Sequence, residues 1–202
     1  EMCIRDRMRD CDRDLNHYLG HGYVFNICAR LGYELPELNL QFFNKGISGN
    51  RVVDLYARWH GDALNLKPDL LSVLVGINDI HFDVFSKKND VPFPFERTYR
   101  LLLDDARAQN PALRLVLLEP FMLPCEPMKD RLADRQAALA DVAATTRRLA
   151  DEFNAVFVPL QARFEEAART TGPAYWLWDG VHPTWSGHEL ITRAWIEAVF
   201  GK

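Results

Sequence analysis

Short aliphatic runs alternate along the chain with longer stretches in which apolar residues recur at helical spacing. The aliphatic runs predict strands that are covered on both faces, and the longer stretches predict amphipathic helices. Strands are predicted at residues 41–43, 69–77, 113–118 and 155–159. Helices are predicted at residues 52–66, capped by Asn50, and at 96–109, 129–153, 160–169 and 186–200, the last capped by Ser186. This alternation indicates an α/β domain with a mainly parallel sheet and right-handed crossovers.

Length and composition narrow the class of protein. The chain has 202 residues, of which 48% are hydrophobic and 26% charged, as in a single globular domain. Its net charge of −4 provides no positive field for nucleic acid. The longest apolar runs fall far short of the ~20 residues that a membrane span needs. We therefore expect neither a nucleic acid nor a membrane as partner, while the compartment and the oligomeric state stay open.

Chemistry-bearing residues follow three of the predicted elements. A loop with two glycines, residues 44–50, follows the first predicted strand, and Gly-Ile-Asn-Asp at 76–79 ends the second. Asp-Gly-Val-His-Pro, at 179–183, lies in the loop before the last helix. Because ligands bind beyond the carboxyl ends of parallel strands, we expect the three segments to meet at one edge of the sheet.

Residue types in these segments suit acyl transfer. In a tight turn, Asp179 can hold the Nδ1 proton of His182 and leave Nε2 to act as a general base. The amide of Asn78 is a neutral donor suited to an oxyanion, and Gly76 would let a ligand approach the backbone. Each motif alone also fits an ordinary turn.

Two tryptophans flank the acid–histidine turn. Trp178 and Trp185 offer aromatic faces on which sugar rings stack, and ordinary packing is the alternative for both.

A metal-dependent reaction is the less favoured alternative. His17 and His21 stand four residues apart, but Gly20 and Gly22 break a helix there and no third ligand is evident. The four cysteines form no Cys-x-x-Cys pair, so we expect free thiols and no metal.

Taken together, the three segments resemble the SGNH hydrolase (GDSL-type esterase/lipase) family. The resemblance covers about residues 10–202 and is strongest to carbohydrate-esterase-like members. It implies a flavodoxin-like, three-layer α/β/α fold and a serine esterase that needs no cofactor. It further implies that His182 is the base, that Asp179 orients it, and that Asn78 and the Gly49 N–H form the oxyanion hole. The implied substrate is a small-molecule or carbohydrate ester, such as an acetylated sugar.

The chain departs from the family at its nucleophile. It contains no Gly-Asp-Ser motif, and none of its serines is placed like the missing one: Ser48, Ser72, Ser86 and Ser186. Residues 10–13 resemble the continuation of the motif, which puts the missing serine at Arg7.

The composition of the first residues is unusual for this chain. Nine of the first fourteen residues are charged, and the segment contains no apolar run. Residues 1–7, EMCIRDR, resemble translated sequencing-adapter sequence. We expect a foreign segment at 1–9 that has replaced the first strand and the nucleophile, followed by a hydrolase-like domain at 10–202. This chain would then be inactive. The alternative is a non-catalytic carbohydrate-binding or scaffold homologue on the same fold.

Overall fold

The helices and strands of the chain follow the predicted alternation. The structure is a computed structural model, and it describes residues 19–85, 94–126 and 131–201. The helices are α1 (Tyr23–Glu34), α2 (Val52–Asp62), α3 (Ile77–Phe85), α4 (Phe95–Gln109), α5 (Leu132–Glu152), α6 (Gln161–Thr171), α7 (Pro173–Trp176) and α8 (Trp185–Phe200). The strands are β1 (Leu70–Val73), β2 (Arg114–Leu118) and β3 (Val156–Val158).

The three strands form a parallel sheet in the order β1-β2-β3. Leu70 is aligned with Arg114, and Leu118 with Val158. Helices α3 and α4 connect β1 to β2, and α5 connects β2 to β3. All strands therefore end at the same edge, as the sequence predicts.

Side chains of β2 point alternately to the two faces of the sheet, because successive residues of a strand do so. Val116 and Leu118 pack in a cluster with residues of α1, α6 and α8. Leu115 and Leu117 pack in a second cluster with residues of α2, α4 and α5. The expected three-layer α/β/α arrangement is confirmed, with helices covering both faces.

One strand prediction is wrong. Residues 41–43 have no regular structure, and Phe43 is 57% exposed. In the part of the chain that the structure describes, this segment pairs with none of the three strands. Without a ladder partner, so short a run does not form a strand.

Helix α1 was not predicted, although its pattern is legible. Its buried residues follow helical spacing along one side: Tyr23, Ile27, Cys28 and Leu31. The expected loss of the first strand concerns residues outside the described ranges. No helix in those ranges is long and apolar enough to cross a membrane.

Both predicted helix caps are wrong by one or two residues. Arg51, not Asn50, precedes α2, and its backbone N–H donates to the Asp54 carboxylate at 2.8 Å. Thr184, not Ser186, caps α8, where its hydroxyl accepts a hydrogen bond from the Gly187 N–H at 3.2 Å. In both cases a side-chain oxygen accepts a hydrogen bond from a backbone N–H group at the start of the helix.

Candidate active site

Asp179 and His182 form a close acid–imidazole pair. The Asp179 Oδ2 atom lies 2.5 Å from the His182 Nδ1 atom. The other carboxylate oxygen, Oδ1, accepts the backbone N–H groups of Val181 at 3.1 Å and His182 at 2.9 Å. The same carboxylate therefore closes the turn and contacts the imidazole. The turn and the acid–imidazole pair, which the sequence presents as alternatives, are both present.

The backbone around the pair is fixed on two sides. Leu177 forms an antiparallel bridge with Pro183, and the Trp178 N–H donates to the His182 carbonyl at 3.1 Å. Gly180 has a φ of 93°, a conformation that side chains other than glycine disfavour. Its carbonyl accepts the N–H of Leu123 at 2.8 Å, which ties the turn to the segment after β2.

The hydrogen bonds at the turn keep Asp179 ionised. Burial raises the pKa of its carboxyl, but the hydrogen bonds from the His182 N–H, the imidazole and the Val181 N–H outweigh burial. The resulting pKa lies below the usual value of an aspartate. The pair therefore carries a carboxylate that can stabilise a protonated imidazole.

Cys125 lies close enough to Asp179 for the carboxylate charge to affect the pKa of its thiol. Its thiol is 3.6 Å from the carbonyl of Leu177, to which it can donate. Burial raises the pKa of this thiol, and the Asp179 carboxylate raises it further. Because the thiolate is the nucleophilic form, this environment does not activate Cys125 in place of a serine.

The loop that carries Gly49 is fastened by a neighbouring helix. The Arg58 side chain on α2 donates to Asn50 Oδ1 at 2.9 Å and to the Lys45 carbonyl at 2.8 Å. Gly49 has a φ of 80°, and the space where its Cβ would lie is empty within 4 Å. The exposed loop therefore presents its backbone without a side chain in the way. No local sequence pattern indicates these two hydrogen bonds, because their acceptors lie eight and thirteen residues before Arg58.

Asn78 and Asp79 lie in the first turn of α3, rather than in a turn after a strand. The Asn78 amide donates to the carbonyl of Asn50 at 3.0 Å, and the Asp79 carboxylate accepts the N–H of Val52 at 3.2 Å. The first hydrogen bond joins α3 to the Gly49 loop, and the second joins α3 to the first residue of α2. Since an amide carries two N–H donors, this hydrogen bond to Asn50 engages one of the two donors of Asn78.

Gly76 serves packing rather than ligand access. Its φ is 130°, and a Cβ there would lie 2.7 Å from Val142 Cγ1 on α5. The glycine therefore allows α5 to pack close to the end of β1, which corrects the expectation that it opens the backbone to a ligand.

The two halves of the site share one small apolar cluster. Ile80 and Met122 are buried at its centre, and both Ile77 and Val181 pack against it. Ile77 directly precedes Asn78, and Val181 directly precedes His182. The structure thus brings the Asn78 and His182 segments to the same end of the domain, as their positions after strands predicted.

The two flanking tryptophans have different surroundings. The indole of Trp178 is stacked on the His182 imidazole, with ring centroids 5.5 Å apart and an interplanar angle of 17°. Trp185 is 86% exposed at the start of α8. Neither ring belongs to the apolar core clusters.

Three of the four serines of the chain lie in the described ranges. Ser48 is half-buried in the Gly49 loop, and Ser186 lies inside the first turn of α8. Ser72 is exposed on β1, contrary to the expected burial, and its hydroxyl accepts the Trp195 indole N–H at 3.0 Å. Ser86 and Arg7 lie outside the described residues.

Two of the remaining histidines, His188 and His81, have contacts with other residues of the fold. His188 is buried in α8, where its Nδ1 atom accepts the N–H of Tyr23 at 3.3 Å. His81 lies near Arg135, and His21 is exposed while His17 lies outside the described residues. Within residues 19–85, 94–126 and 131–201, no group of three possible ligands is arranged to hold a metal ion.

Comparison with known proteins places the chain in a family of hydrolases. The chain belongs to the family described as GDSL-like Lipase/Acylhydrolase, whose family model matches residues 15–190. An acetylxylan esterase from Geobacillus stearothermophilus is 35% identical over 214 residues, which cover 97% of this chain and 91% of that protein. This chain is therefore an esterase by family.

Solved structures agree with this assignment. The structure of a GDSL-like lipase from Parabacteroides merdae matches with a TM-score of 0.83 at 33% identity. The match covers 91% of this chain and 84% of the lipase chain. The Geobacillus acetylxylan esterase has a TM-score of 0.79 at 33% identity, with 91% and 83% covered. Catalytic mutants of that esterase replace an aspartate, a histidine three positions later, and a serine.

The low pKa of Asp179 has a consequence for stability that titration can measure. Since folding lowers this pKa, the carboxylate stabilises the native state above the ordinary value of 3.8, and the contribution is lost as the pH falls below it. We expect Asp179→Asn to lower the free energy of unfolding at pH 6 and to lower it much less at pH 3. Urea unfolding of both proteins at the two pH values measures the difference. A cost that stays constant or grows on acidification would contradict this account.

Proposed function

We propose that this chain is the hydrolase domain of a serine esterase that removes small acyl groups, acetyl above all, from carbohydrate esters. The observation that carries the proposal is the Asp179–His182 pair, 2.5 Å apart, at the end of the domain that also holds the Asn78–Asn50 hydrogen bond. The same spacing of aspartate and histidine occurs in the catalytic mutants of the Geobacillus acetylxylan esterase.

The proposed mechanism gives each residue one role. In an intact site, the serine hydroxyl attacks the ester carbonyl carbon while His182 takes its proton at Nε2, and Asp179 stabilises the imidazolium. The N–H of Gly49 and the Asn78 amide donate to the oxyanion of the tetrahedral intermediate. Collapse expels the alcohol, which takes the proton from His182, and water then hydrolyses the acyl-enzyme with the same base.

Carbohydrate as the alcohol side is supported by two observations. The relative at 35% identity is an acetylxylan esterase. Trp185, 86% exposed, and Trp178 lie beside the acid–histidine turn, where an indole face suits a sugar ring. We assign both as contacts for the sugar of the substrate.

The nucleophile is the missing part. We propose that residues 1–9 are foreign, that Arg7 stands where the family has its serine, and that residues 10–202 form the hydrolase domain. On this account the chain has the base, its orienting acid and the oxyanion donors but forms no acyl-enzyme. It should therefore not turn over esters as it stands.

A chimera tests the proposal. Residues 1–9 are replaced by the segment of the Geobacillus esterase that contains the serine changed in its catalytic mutant, and hydrolysis of p-nitrophenyl acetate and acetylated xylo-oligosaccharides is measured. We expect no turnover from the unmodified chain and clear turnover from the chimera. The chimera carrying His182→Ala, and one with the new serine changed to alanine, should both be inactive.

Two outcomes would contradict the proposal. Turnover by the unmodified chain that disappears in His182→Ala would reveal another nucleophile. A folded chimera that binds xylo-oligosaccharide saturably but hydrolyses nothing would instead favour the non-catalytic, carbohydrate-binding alternative.

A further inference from the structure

We propose that Trp178 is a positioning residue for His182: its indole holds the imidazole against Asp179 and stabilises the protonated form of the ring. This inference deepens the proposed function, because it assigns the means by which the base is held and charged. It gives Trp178 a task that acts through His182, in addition to any contact with sugar.

The geometry around the two rings is fixed by the backbone. Trp178 and His182 face each other across a narrow turn, with the Trp178 N–H bonded to the His182 carbonyl at 3.1 Å. The bridge between Leu177 and Pro183 lies just outside this hydrogen bond. The backbone thus holds the two residues side by side, and their rings lie 17° from parallel.

The imidazole is engaged in two directions. Asp179 holds its Nδ1 atom in the plane of the ring, whereas Trp178 covers a face of the ring. An in-plane hydrogen bond leaves rotation about its own axis possible, and a stacked ring opposes that rotation. The two contacts together therefore define the direction of Nε2, the nitrogen that Asp179 does not engage.

Stacking also favours the charged ring. The face of an indole is negative, so a cation centred over it is attracted. His182 carries its positive charge while the proposed tetrahedral intermediate exists, and the indole would lower the energy of that state. The side chain of His182 is 35% exposed, so part of its charge is also stabilised by water.

Asp179 and Cys125 are titratable groups near the turn that carries the two rings. Asp179 is in direct contact with His182, and its pKa is lowered as described above. The Cys125 thiol, whose pKa is raised by burial and by the charge of Asp179, stays neutral and adds no charge. The Trp178 indole itself carries no charge, so a substitution at Trp178 leaves both of these titratable groups in place.

The test uses the unmodified chain and needs no catalysis. NMR follows the Cε1–H resonance of His182 against pH in the parent, in Trp178→Phe and in Trp178→Leu, with assignment by loss of the signal in His182→Ala. We expect Trp178→Leu to lower the titration midpoint of His182 by roughly half a pH unit, since exposed cation–π contacts are worth about 0.5–1 kcal/mol. In Trp178→Phe the titration midpoint of His182 should stay close to that of the parent.

A second reading of the same spectra reports the stacking itself. The indole shifts protons above its face upfield, so the Cε1–H signal should move downfield in Trp178→Leu. Tyr175→Leu, a change at an exposed aromatic residue three positions earlier, is the matched control and should alter neither value.

The outcomes separate this inference from the proposed function. An unchanged midpoint in Trp178→Leu overturns it, whether or not the chemical shift moves. An equal drop in Trp178→Phe and Trp178→Leu also overturns it, because the face of a benzene ring should substitute. Failure of the chimera to hydrolyse esters leaves these titrations unaffected, so the two ideas fail independently.

Discussion

Gly187→Ala should destabilise the protein by about 3 kcal/mol or more, because it inserts a side chain where backbone already lies. A Cβ at this position would overlap the carbonyl oxygen of Trp176 and lie 2.9 Å from Pro183 Cβ. That carbonyl also accepts the N–H of Thr184 at 2.9 Å. Movement away from the new methyl group would therefore break the backbone hydrogen bond that joins α7 to the start of α8.

The effect should reach the site as well as the stability. Trp176 and Pro183 flank the Asp179–His182 turn, so displacement of either one moves that turn. Chemical denaturation measures the loss, and the His182 NMR signal reports the displacement. Gly61→Ala in α2 is the control: nothing lies within 4 Å of its Cβ, and alanine should stabilise a helix there by about 0.5–1 kcal/mol. Equal stabilities of the two variants would show that the contacts around Gly187 relax.

The fold could be predicted from sequence where apolar periodicity is strong. The last four residues of β2 are buried, and the prediction at 113–118 differs from Arg114–Leu118 by one residue. The prediction at 69–77 ran past the true end of β1 because Leu74 and Val75 are also buried. These two residues are buried but are not aligned with β2 in the described sheet, and an aliphatic run does not distinguish burial from strand pairing. Helix α1 was missed because further apolar residues, Val24, Phe25 and Ala29, lie off its buried side and obscure the helical spacing.

The site was predictable only where its parts are close in sequence. Asp179 and His182 lie three residues apart, so a single turn suffices to join them. The contacts that hold the Gly49 loop join Asn50 to Arg58 and to Asn78, which no local pattern reveals. Stacking of Trp178 on His182 depends on the bridge between Leu177 and Pro183, and the sequence indicates a flanking tryptophan without its orientation.

Asp179→Asn should reduce kcat of the active chimera by about 10⁴-fold and leave KM nearly unchanged. The reason is a change of tautomer. If the asparagine Oδ1 keeps the two backbone N–H groups of Val181 and His182, its amide N–H₂ faces His182 Nδ1 and donates to it. Nδ1 then becomes the acceptor, the proton moves to Nε2, and the imidazole no longer accepts a proton from the serine.

The unmodified chain allows the tautomer to be observed directly. Nitrogen chemical shifts of His182 at neutral pH should indicate Nδ1–H in the parent and Nε2–H in Asp179→Asn. Asp134→Asn, which removes a carboxylate paired with Arg131 on the surface of α5, is the matched control and should leave kcat and the tautomer unchanged. If kcat of the chimera carrying Asp179→Asn fell by less than tenfold, the carboxylate would be closing the turn rather than orienting the base. The experiment therefore distinguishes two roles of Asp179, closing the turn and orienting His182, which the sequence alone does not distinguish.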